Sequence, residues 1–535
     1  MYERKRPLGT LRYMPTLERK WWTLIAVCTA IFMLLLDITV VNVALPDIQR
    51  SLHSSFSDLQ WVIDAYSLML AAFLLTAGVL GDIYGRREVF AVGLAVFSAA
   101  SLACGVSTSS LMLNSSRAFQ GVGGAIMFAT SFALVAQAFQ GKDRGTAFGI
   151  VGAITGGAVA IGPLVGGAIT SGIGWRWIFF VNVPIGVLAV AITLTRIEKA
   201  LAVRTRRIDW VGFLSFSVSL FCLVFALVRG NDDGWSSTTI VSLLAASAVL
   251  MVVFVVNEAR REDPMLDLGL FRKKTVVGVS IVAFALAGSI FAMFLYITLY
   301  VQDDLGFSPF PAGVRFLPLT ILAFLVAPFA GRLTVRTKSS YMLGVGMLLI
   351  AVGLILMGQT HSNSHWTVLL PGFIVTGLGI GTVNPVLASA SVSVVQPQNS
   401  GMASGSNNTF RQVGIATGIA VLGAIFQSQI VNHTSAVLSQ TSLGRLVLHG
   451  GGTQLKAALS AGQVQAAISH ANLPGAASAT LLGAYHSGFS TTFNHLMVIG
   501  AIVALAGCIA GFTLVRQSEF VVPTGAPAAG GAGGG

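Results

Sequence analysis

The sequence predicts an all-α, polytopic membrane protein with fourteen transmembrane helices. Of its 535 residues, 54% are hydrophobic and only 10% are charged, whereas a soluble globular chain carries about 25% charged residues. Apolar runs recur along the chain at lengths near the 20 residues or so that a helix needs to cross the hydrocarbon core. The basic residues cluster in the short breaks between these runs. Composition, run length and charge placement all indicate the same class.

Fourteen apolar runs are long enough to span a bilayer, eight in a first group and six in a second. The predicted spans are 22–45, 59–80, 88–106, 111–137, 145–170, 175–196, 209–228, 238–257, 276–301, 311–333, 341–358, 366–394, 403–429 and 489–515. Most connections between them are short, so little soluble mass is expected on either side.

The basic residues predict the orientation of the chain. Of the 32 Lys and Arg residues, 24 fall on the side that holds both termini, five fall on the other side, and Arg117, Arg315 and Arg411 lie within spans. Cytoplasmic loops carry the excess of Lys and Arg. We therefore expect a multi-pass protein of the plasma or inner membrane with both ends in the cytoplasm.

Several partner classes are disfavoured by the same patterns. The net charge of +12 is not arranged as a basic stripe interleaved with aromatic residues, so nucleic acid is not expected as a partner. The four cysteines lie in apolar segments at unrelated spacings, which predicts neither disulfides nor a metal site. No catalytic set of Ser, His and Asp and no phosphate-binding loop occurs, so the chain is not expected to be an enzyme.

Three ionisable residues within spans are candidates for proton or substrate coupling. Asp37 lies about 22 Å from the inner end of the first span, while Asp64 and Arg117 lie about 8 Å from the outer ends of theirs. All three therefore fall at a similar depth in the outer half of a core about 30 Å thick. Intramembrane charges mark transport pathways and proton relays. The alternative for Asp64 and Arg117 is that their side chains reach the interface.

The second half of the chain offers few charged candidates. No acidic residue occurs between Asp304 and Glu519, so carboxylate-based proton transport would have to use the first half. Asp303 and Asp304 read as solvated loop residues at the end of a span. Arg411 is expected near the inner end of its span, in an interfacial structural role.

The loop between the second and third spans reads "GVLGDIYGRR". Its glycines, Gly78 and Gly85 among them, allow a helix end and a close turn. Asp82 can pair with Arg86, with Arg87 or with the positive end of another helix.

This loop resembles the signature loop of the major facilitator superfamily. "LNSSRAFQGVGGA" resembles the span-4 motif of the superfamily, with Arg117 at its arginine, and "GPLVGG" resembles the span-5 motif of its antiporters. "LDITVVNVALP", "WRWIFFVNVPIG" and "PMLDLGLFR" are similar to its fourteen-span drug/proton antiporter branch. The ordered matches cover nearly the whole chain.

The span-5 motif contains Gly162, Pro163, Gly166 and Gly167. The GxxxG spacing lets helices approach closely, and the proline favours a kink. A close-packed bend of this kind could seal or hinge a pathway. The alternative is ordinary packing of small residues.

The resemblance implies the major facilitator fold, in which two six-helix bundles rock around a central cavity, with an inserted helix pair. The implied divisions are a tail at 1–21, a first bundle at 22–196, a linker with two spans at 197–274, a second bundle at 275–515 that includes an outer loop at 430–488, and a flexible cytoplasmic tail at 516–535. Asp37 would couple protons or cationic substrate, Arg117 would assist proton transfer, and Asp82 with Arg86 would latch the cytoplasmic gate.

The function expected from this resemblance is export of amphipathic or drug-like compounds, cationic ones included, in exchange for protons. The proton gradient supplies the energy, so no cofactor is expected, and the partners are the lipid bilayer, protons and the small substrate of a monomeric carrier. Two alternatives stay open: translocation of a lipid or lipid precursor, and proton-coupled uptake by symport. The scarcity of polar groups in the second half argues against a strongly hydrophilic substrate.

Overall fold

Each predicted span falls on a helical segment of the structure and runs at most two residues past its ends. The computed structural model describes residues 18–54, 56–199, 209–261, 264–334, 336–440, 442, 444–445 and 475–521. Thirteen helices in these ranges are long and apolar enough to cross a membrane, and the remaining predicted span, 145–170, lies within a helix of 32 residues. The predicted all-α class with fourteen spans is therefore confirmed.

The first six spans form one bundle. Its helices are α1 (Arg19–Leu52), α2 (Phe56–Tyr84), α3 (Arg86–Gly105), α4 (Ser110–Ala138), α5 (Gly141–Gly172) and α6 (Asn182–Arg196), the last preceded by a helical turn at Trp177–Phe180. The helices α2 and α3 both pack on α4, and α1 packs on α5. The turn before α4 is fixed by Ser109, whose hydroxyl accepts from the amide of Met112 at 3.3 Å, as an N-cap residue does.

The last six spans form the second bundle. Its helices are α9 (Lys274–Leu286, continued by π-helical Ala287–Phe291, helical Ala292–Leu299 and π-helical Tyr300–Asp304), α10 (Pro309–Leu333), α11 (Ser339–Met357), α12 (Leu370–Ser393), α13 (Ser400–Ser439) and α14 (Gly475–Leu514). Their buried faces meet in a single apolar cluster that runs from Val279 to Val515.

Two further helices, α7 (Trp210–Asp233) and α8 (Thr238–Arg260), form the inserted pair. They pack on each other, and α7 also contacts α2 of the first bundle and α13 of the second. The two bundles meet directly where α5 packs on α10 and where α2 packs on α13. The helix α5 also contacts α12, and α4 also contacts α13.

The predicted outer loop, 430–488, begins and ends with helix. The helix α13 continues to Ser439 and α14 begins at Gly475, so both ends of that loop are helical. At 40 residues each, the two helices are about 60 Å long, well beyond the hydrocarbon core. The segment "TQLKAALSAGQVQAAISHA", for which a surface helix is expected, lies outside the described residues, as do most of both predicted tails.

Candidate functional site

Asp37 and Arg117 form a buried ion pair within the first bundle. The Nη1 of Arg117 donates to Oδ2 of Asp37 at 2.5 Å, and the two residues are 1% and 4% exposed, Arg117 being the more buried. The Nε of Arg117 donates to the carbonyl oxygen of Val62 at 2.9 Å. The common depth predicted for these two residues thus corresponds to a direct contact between α1 and α4.

Three neutral polar side chains complete the hydrogen bonding of this pair. The Nε2 of Gln120 donates to Oδ1 of Asp37 at 2.9 Å, and Nδ2 of Asn182 reaches the same oxygen at 3.4 Å. Both amides also donate to the hydroxyl of Ser101 at 3.1 Å. We call these five residues, Asp37, Ser101, Arg117, Gln120 and Asn182, the Asp37 cluster.

The Asp37 cluster ties together four helices, α1, α3, α4 and α6. Every member is at least 96% buried, and the guanidinium of Arg117 lies 4.2 Å from the ring centroid of Tyr66. A buried ion pair is tolerated only when further hydrogen bonds satisfy its remaining donors and acceptors. The neutral side chains supply those bonds, so the cluster holds a charge pair in the middle of an apolar bundle.

Asp64 differs from the Asp37 cluster in its environment. It lies on α2 between Val62 and Tyr66, both of which contact Arg117, yet its side chain is partly exposed rather than buried. A partly exposed carboxylate needs less compensation than a buried one. Its coupling role stays a prediction.

Asp82 connects the two bundles at the side where α1 begins and α14 ends, which we call the predicted cytoplasmic side. Its two carboxylate oxygens accept from the backbone amides of Gly401 at 3.0 Å and Met402 at 2.8 Å, in the first turn of α13. Arg86 donates to Asp82 from Nε at 3.1 Å and from Nη2 at 2.8 Å. The same Nη2 donates to the carbonyl oxygen of Pro397. A carboxylate at a helix N-terminus satisfies free amides and the helix dipole together.

The other residues of the signature loop shape this contact. A Cβ added at Gly78 would lie 2.1 Å from the carbonyl oxygen of Gly401, so glycine is needed for α2 to approach α13. Gly85 has a φ of 101°, a conformation that favours glycine. Arg87 lies outside the contact between bundles, since its Nη1 donates to the carbonyl oxygen of Ile197 at 3.2 Å.

The glycines in the first half of α5 seal the second crossing between bundles. A Cβ added at Gly145 would lie 2.1 Å from the carbonyl oxygen of Gly331, and one at Gly149 would lie 2.6 Å from the Cα of Pro328. These residues bring α5 and α10 into backbone contact. Together with the Asp82 contact, they close the space between the bundles on the predicted cytoplasmic side.

The glycines of the predicted antiporter motif have a different partner, α1. A Cβ added at Gly162 would lie 1.8 Å from the Oγ1 of Thr39, and one at Gly166 would lie 3.1 Å from the Cα of Val40. Thr39 and Val40 follow Asp37 by two and three residues in the sequence. The motif therefore packs beside the Asp37 cluster rather than against the second bundle.

Two other residues of the motif are not explained by this packing. The helical backbone of α5 continues past Pro163, whose side chain lies outside the described part of the chain, so the kink stays a prediction. A Cβ added at Gly167 meets no atom within 4 Å. Close helix approach therefore does not account for this glycine.

Sequence reasoning missed the neutral members of the Asp37 cluster. Gln120 follows Arg117 by three residues, so the two share a helix face, and Asn182 is a polar residue in an otherwise apolar run. Both lie in stretches that carry the family resemblance. Ser101 gave no signal, because a lone serine in a span usually bonds its own helix.

Two expectations about the second half were wrong. Arg411, expected at the interface, lies eleven residues into α13, about 17 Å from its start. Asp304, expected in solvent, is 8% exposed, and its Oδ1 lies 2.7 Å from the Nδ1 of His486. Burial raises the pKa of the Asp304 carboxyl, and the hydrogen bond with His486 opposes that rise.

Among the residues that the structure describes, no group of three or more His, Cys, Asp or Glu side chains is placed to hold a metal ion. Within the spans, the structure shows the ion pair of Asp37 with Arg117 and the guanidinium groups of Arg315 and Arg411 over aromatic rings. This arrangement suits binding, ion pairing and proton transfer.

Comparisons with known proteins agree with this architecture. Residues 27–419 match the family model described as Major Facilitator Superfamily. The chain is 33% identical over 513 residues to the tetracenomycin C resistance and export protein of Streptomyces glaucescens, covering 94% of this chain and 95% of that protein. It is 35% identical over 404 residues to the multidrug resistance protein Stp of Mycobacterium tuberculosis, covering 75% of each.

A solved structure shows the same fold. The crystal structure of the human organic anion transporter MFSD10 superposes with a TM-score of 0.59 at 14% identity, covering 91% of this chain and 99% of that one. Fold, spans and relatives converge: the chain belongs to the major facilitator superfamily.

Proposed function

We propose that this protein is a secondary active transporter that exports amphipathic compounds in exchange for protons, by alternating access. Relatives that match most of the chain are named for drug or antibiotic resistance and export. The observation that carries the proton coupling is the buried ion pair of Asp37 and Arg117. The energy comes from the proton gradient, so the chain's own residues suffice without a cofactor.

A proton on Asp37 would change the balance of the Asp37 cluster. It neutralises the carboxylate that offsets the charge of Arg117, while the bond from Arg117 to the carbonyl oxygen of Val62 is unaffected. An unpaired cation in a desolvated site is unstable. Protonation therefore favours a rearrangement of α1 against α4, and release of the proton favours the present packing.

Packing contacts connect this rearrangement to the space between the bundles. Thr39 and Val40, two and three residues after Asp37, pack closely against Gly162 and Gly166 of α5. The other half of α5 packs on α10 through Gly145. A shift of α1 is thus passed to a helix that closes the predicted cytoplasmic side.

The Asp82 contact supplies the latch of this closed arrangement. It crosses from α2 to the first turn of α13, with Arg86 bonded to both sides. Opening towards the predicted cytoplasm requires these bonds to break. The protein described here thus corresponds to a carrier that is closed on that side and receives protons from the other.

The test is transport by purified protein in liposomes with an imposed pH gradient. We expect uptake of a lipophilic dye that stops when the gradient is collapsed, and we expect Asp37→Asn to abolish it. Asp64→Asn is the matched comparison, because its carboxylate is predicted at a similar depth but is partly exposed. Transport that is lost in Asp37→Asn alone identifies Asp37 as the coupling residue. Gradient-independent transport, or full activity of Asp37→Asn, contradicts the proposal.

A further inference from the structure

A second cation, Arg411, is partly exposed and lies where residues of both bundles meet. Its guanidinium carbon is 4.7 Å from the ring centroid of Phe291, which belongs to a π-helical turn of α9. Among the described residues, no hydrogen bond or ion pair reaches this guanidinium. π-helical turns inside α-helices are frequent at functional sites.

Arg411 lines a small cavity of about 20 Å³. Thr155 of α5 contributes from the first bundle, and Asn384 of α12 with Ser404 and Asn407 of α13 from the second. The Oδ1 of Asn384, the Nδ2 of Asn407 and the Oγ of Ser404 are buried without a partner in the described part of the chain. Buried polar atoms are nearly always hydrogen bonded, so three such atoms in one cavity indicate a site for a polar ligand.

The chain offers little to neutralise Arg411. No acidic residue occurs between Asp304 and Glu519, which leaves the region around α10 to α14 without a carboxylate. On the other side, Asp37 is bonded to Arg117. An ionisable side chain within a span usually has a partner of opposite charge, and for Arg411 the missing partner is an anion.

An apolar cavity of about 30 Å³ adjoins this polar one. Ser391 and Asn407 line both cavities. The rest of its lining is mainly apolar and includes Leu270, Val279 and Met402. A cation and polar groups at one end and apolar walls at the other match an amphipathic molecule with an acidic head.

We propose that Arg411, with Asn407 and Ser404, binds an acidic oxygen of the exported compound, a carboxylate or an ionised hydroxyl, while the apolar body of the compound lies in the adjoining cavity. This inference rests on the proposed export function and specifies its substrate class. In the present conformation the cavities have room for water only, so the compound enters when the bundles part. The carboxylate of Asp37 is already occupied, which argues against a cationic head.

The test uses two probes with the same apolar body: 4-(1-pyrenyl)butanoate and its methyl ester. Binding to purified protein in detergent is measured by equilibrium dialysis against protein-free micelles. We expect Arg411→Gln to weaken butanoate binding by about tenfold or more, as loss of a charge-assisted hydrogen bond does. Arg411→Lys should weaken it less, and binding of the ester should change by less than about twofold.

Arg315→Gln is the matched control. Arg315 also lies within a span, but its Nη1 donates to the carbonyl oxygen of Pro311 at 2.7 Å and its guanidinium stacks on Phe307. Its replacement should leave butanoate binding unchanged. Equal weakening of butanoate and ester by Arg411→Gln, or no weakening of either, overturns the inference, provided that the variant elutes as a monodisperse species.

The two proposals fail separately. Gradient-driven transport of the ester by wild-type protein tests export, whereas dialysis requires no gradient. If the ester is transported but Arg411→Gln does not weaken butanoate binding, only the proposed site for an acidic head is overturned. Arg411-dependent butanoate binding without gradient-driven transport of any probe overturns the export proposal and supports the site.

Discussion

The guanidinium groups of Arg117 and Arg411 lie in opposite environments. Arg117 is 1% exposed and is held by Asp37, Gln120 and a backbone carbonyl. Arg411 is partly exposed to a cavity, and its one described contact is the ring of Phe291. Arg117 lies inside one bundle, whereas Arg411 lies where the two bundles meet.

The position of an arginine within the spans therefore does not by itself identify it as a ligand-binding group. A cation whose donors are satisfied within its own bundle moves with that bundle and has little to offer a ligand. A cation without a counter-charge at the moving interface remains available to each incoming compound. The two environments therefore support the proposals that Arg117 takes part in proton coupling and that Arg411 takes part in substrate recognition.

The largest expected effect is on stability, on removing Arg117. Arg117→Met leaves the carboxylate of Asp37 buried without its cation, which costs about 3–5 kcal/mol. The free energy of unfolding, measured with SDS in mixed micelles, should fall by that amount. The double variant Asp37→Asn, Arg117→Met removes both charges and should recover much of the loss. If Arg117→Met is as stable as the wild type, the ion pair of Asp37 and Arg117 does not stabilise the Asp37 cluster.

The next effect concerns the contact between α1 and α5. In Gly162→Ala the new Cβ would lie 1.8 Å from the Oγ1 of Thr39, so α1 must shift near Asp37. We expect the variant to lose about 1–3 kcal/mol of stability and to lose gradient-driven transport. Gly167→Ala is its control, because a Cβ there meets open space. Equal transport by the two variants would show that the packing of this motif on α1 does not affect the function of the Asp37 cluster.

A smaller effect is expected at the contact of Asp82 with α13. Asp82→Ala removes the acceptor of two backbone amides and of Arg86, about 1–3 kcal/mol of the closed state. Spin labels at Tyr84 and Gln398, on a cysteine-free background, should then show a larger population at long distance. Arg87→Gln alters the same loop without touching α13, and its distance distribution should match that of the parent. Identical distributions in both variants would argue against the latch.

The sequence predicted the parts of this site that depend on depth and pattern. Apolar runs located the helices, and helical rise placed Asp37 and Arg117 at one level, because both quantities are local. It could not predict that Asp304 meets His486, 182 residues further along the chain, since no local signal marks that approach. Nor could it place Arg411 in a cavity, because hydropathy reports where a helix lies in the bilayer and not which neighbour it faces.

The helices extend beyond the predicted spans for a related reason. Hydropathy falls where α13 leaves the apolar core, yet the helix continues to Ser439, where Thr434 packs tightly against Gly488 of α14. Tertiary packing thus prolongs a helix through a segment rich in Ala, Ser and Gln. The predicted span ended where the apolar run ends, whereas the helix continues along the segment that packs against α14.

The smallest expected effect on stability is at Arg411, and its sign is the sharpest check on the comparison. Because this cation has no counter-charge among the described residues, Arg411→Gln removes a desolvation cost and leaves no partner unpaired. We expect stability in the SDS assay to be unchanged or raised by up to about 1 kcal/mol, with butanoate binding impaired. A loss as large as that of Arg117→Met would mean that Arg411 is as firmly bonded as Arg117, and the distinction between the two arginines would fail.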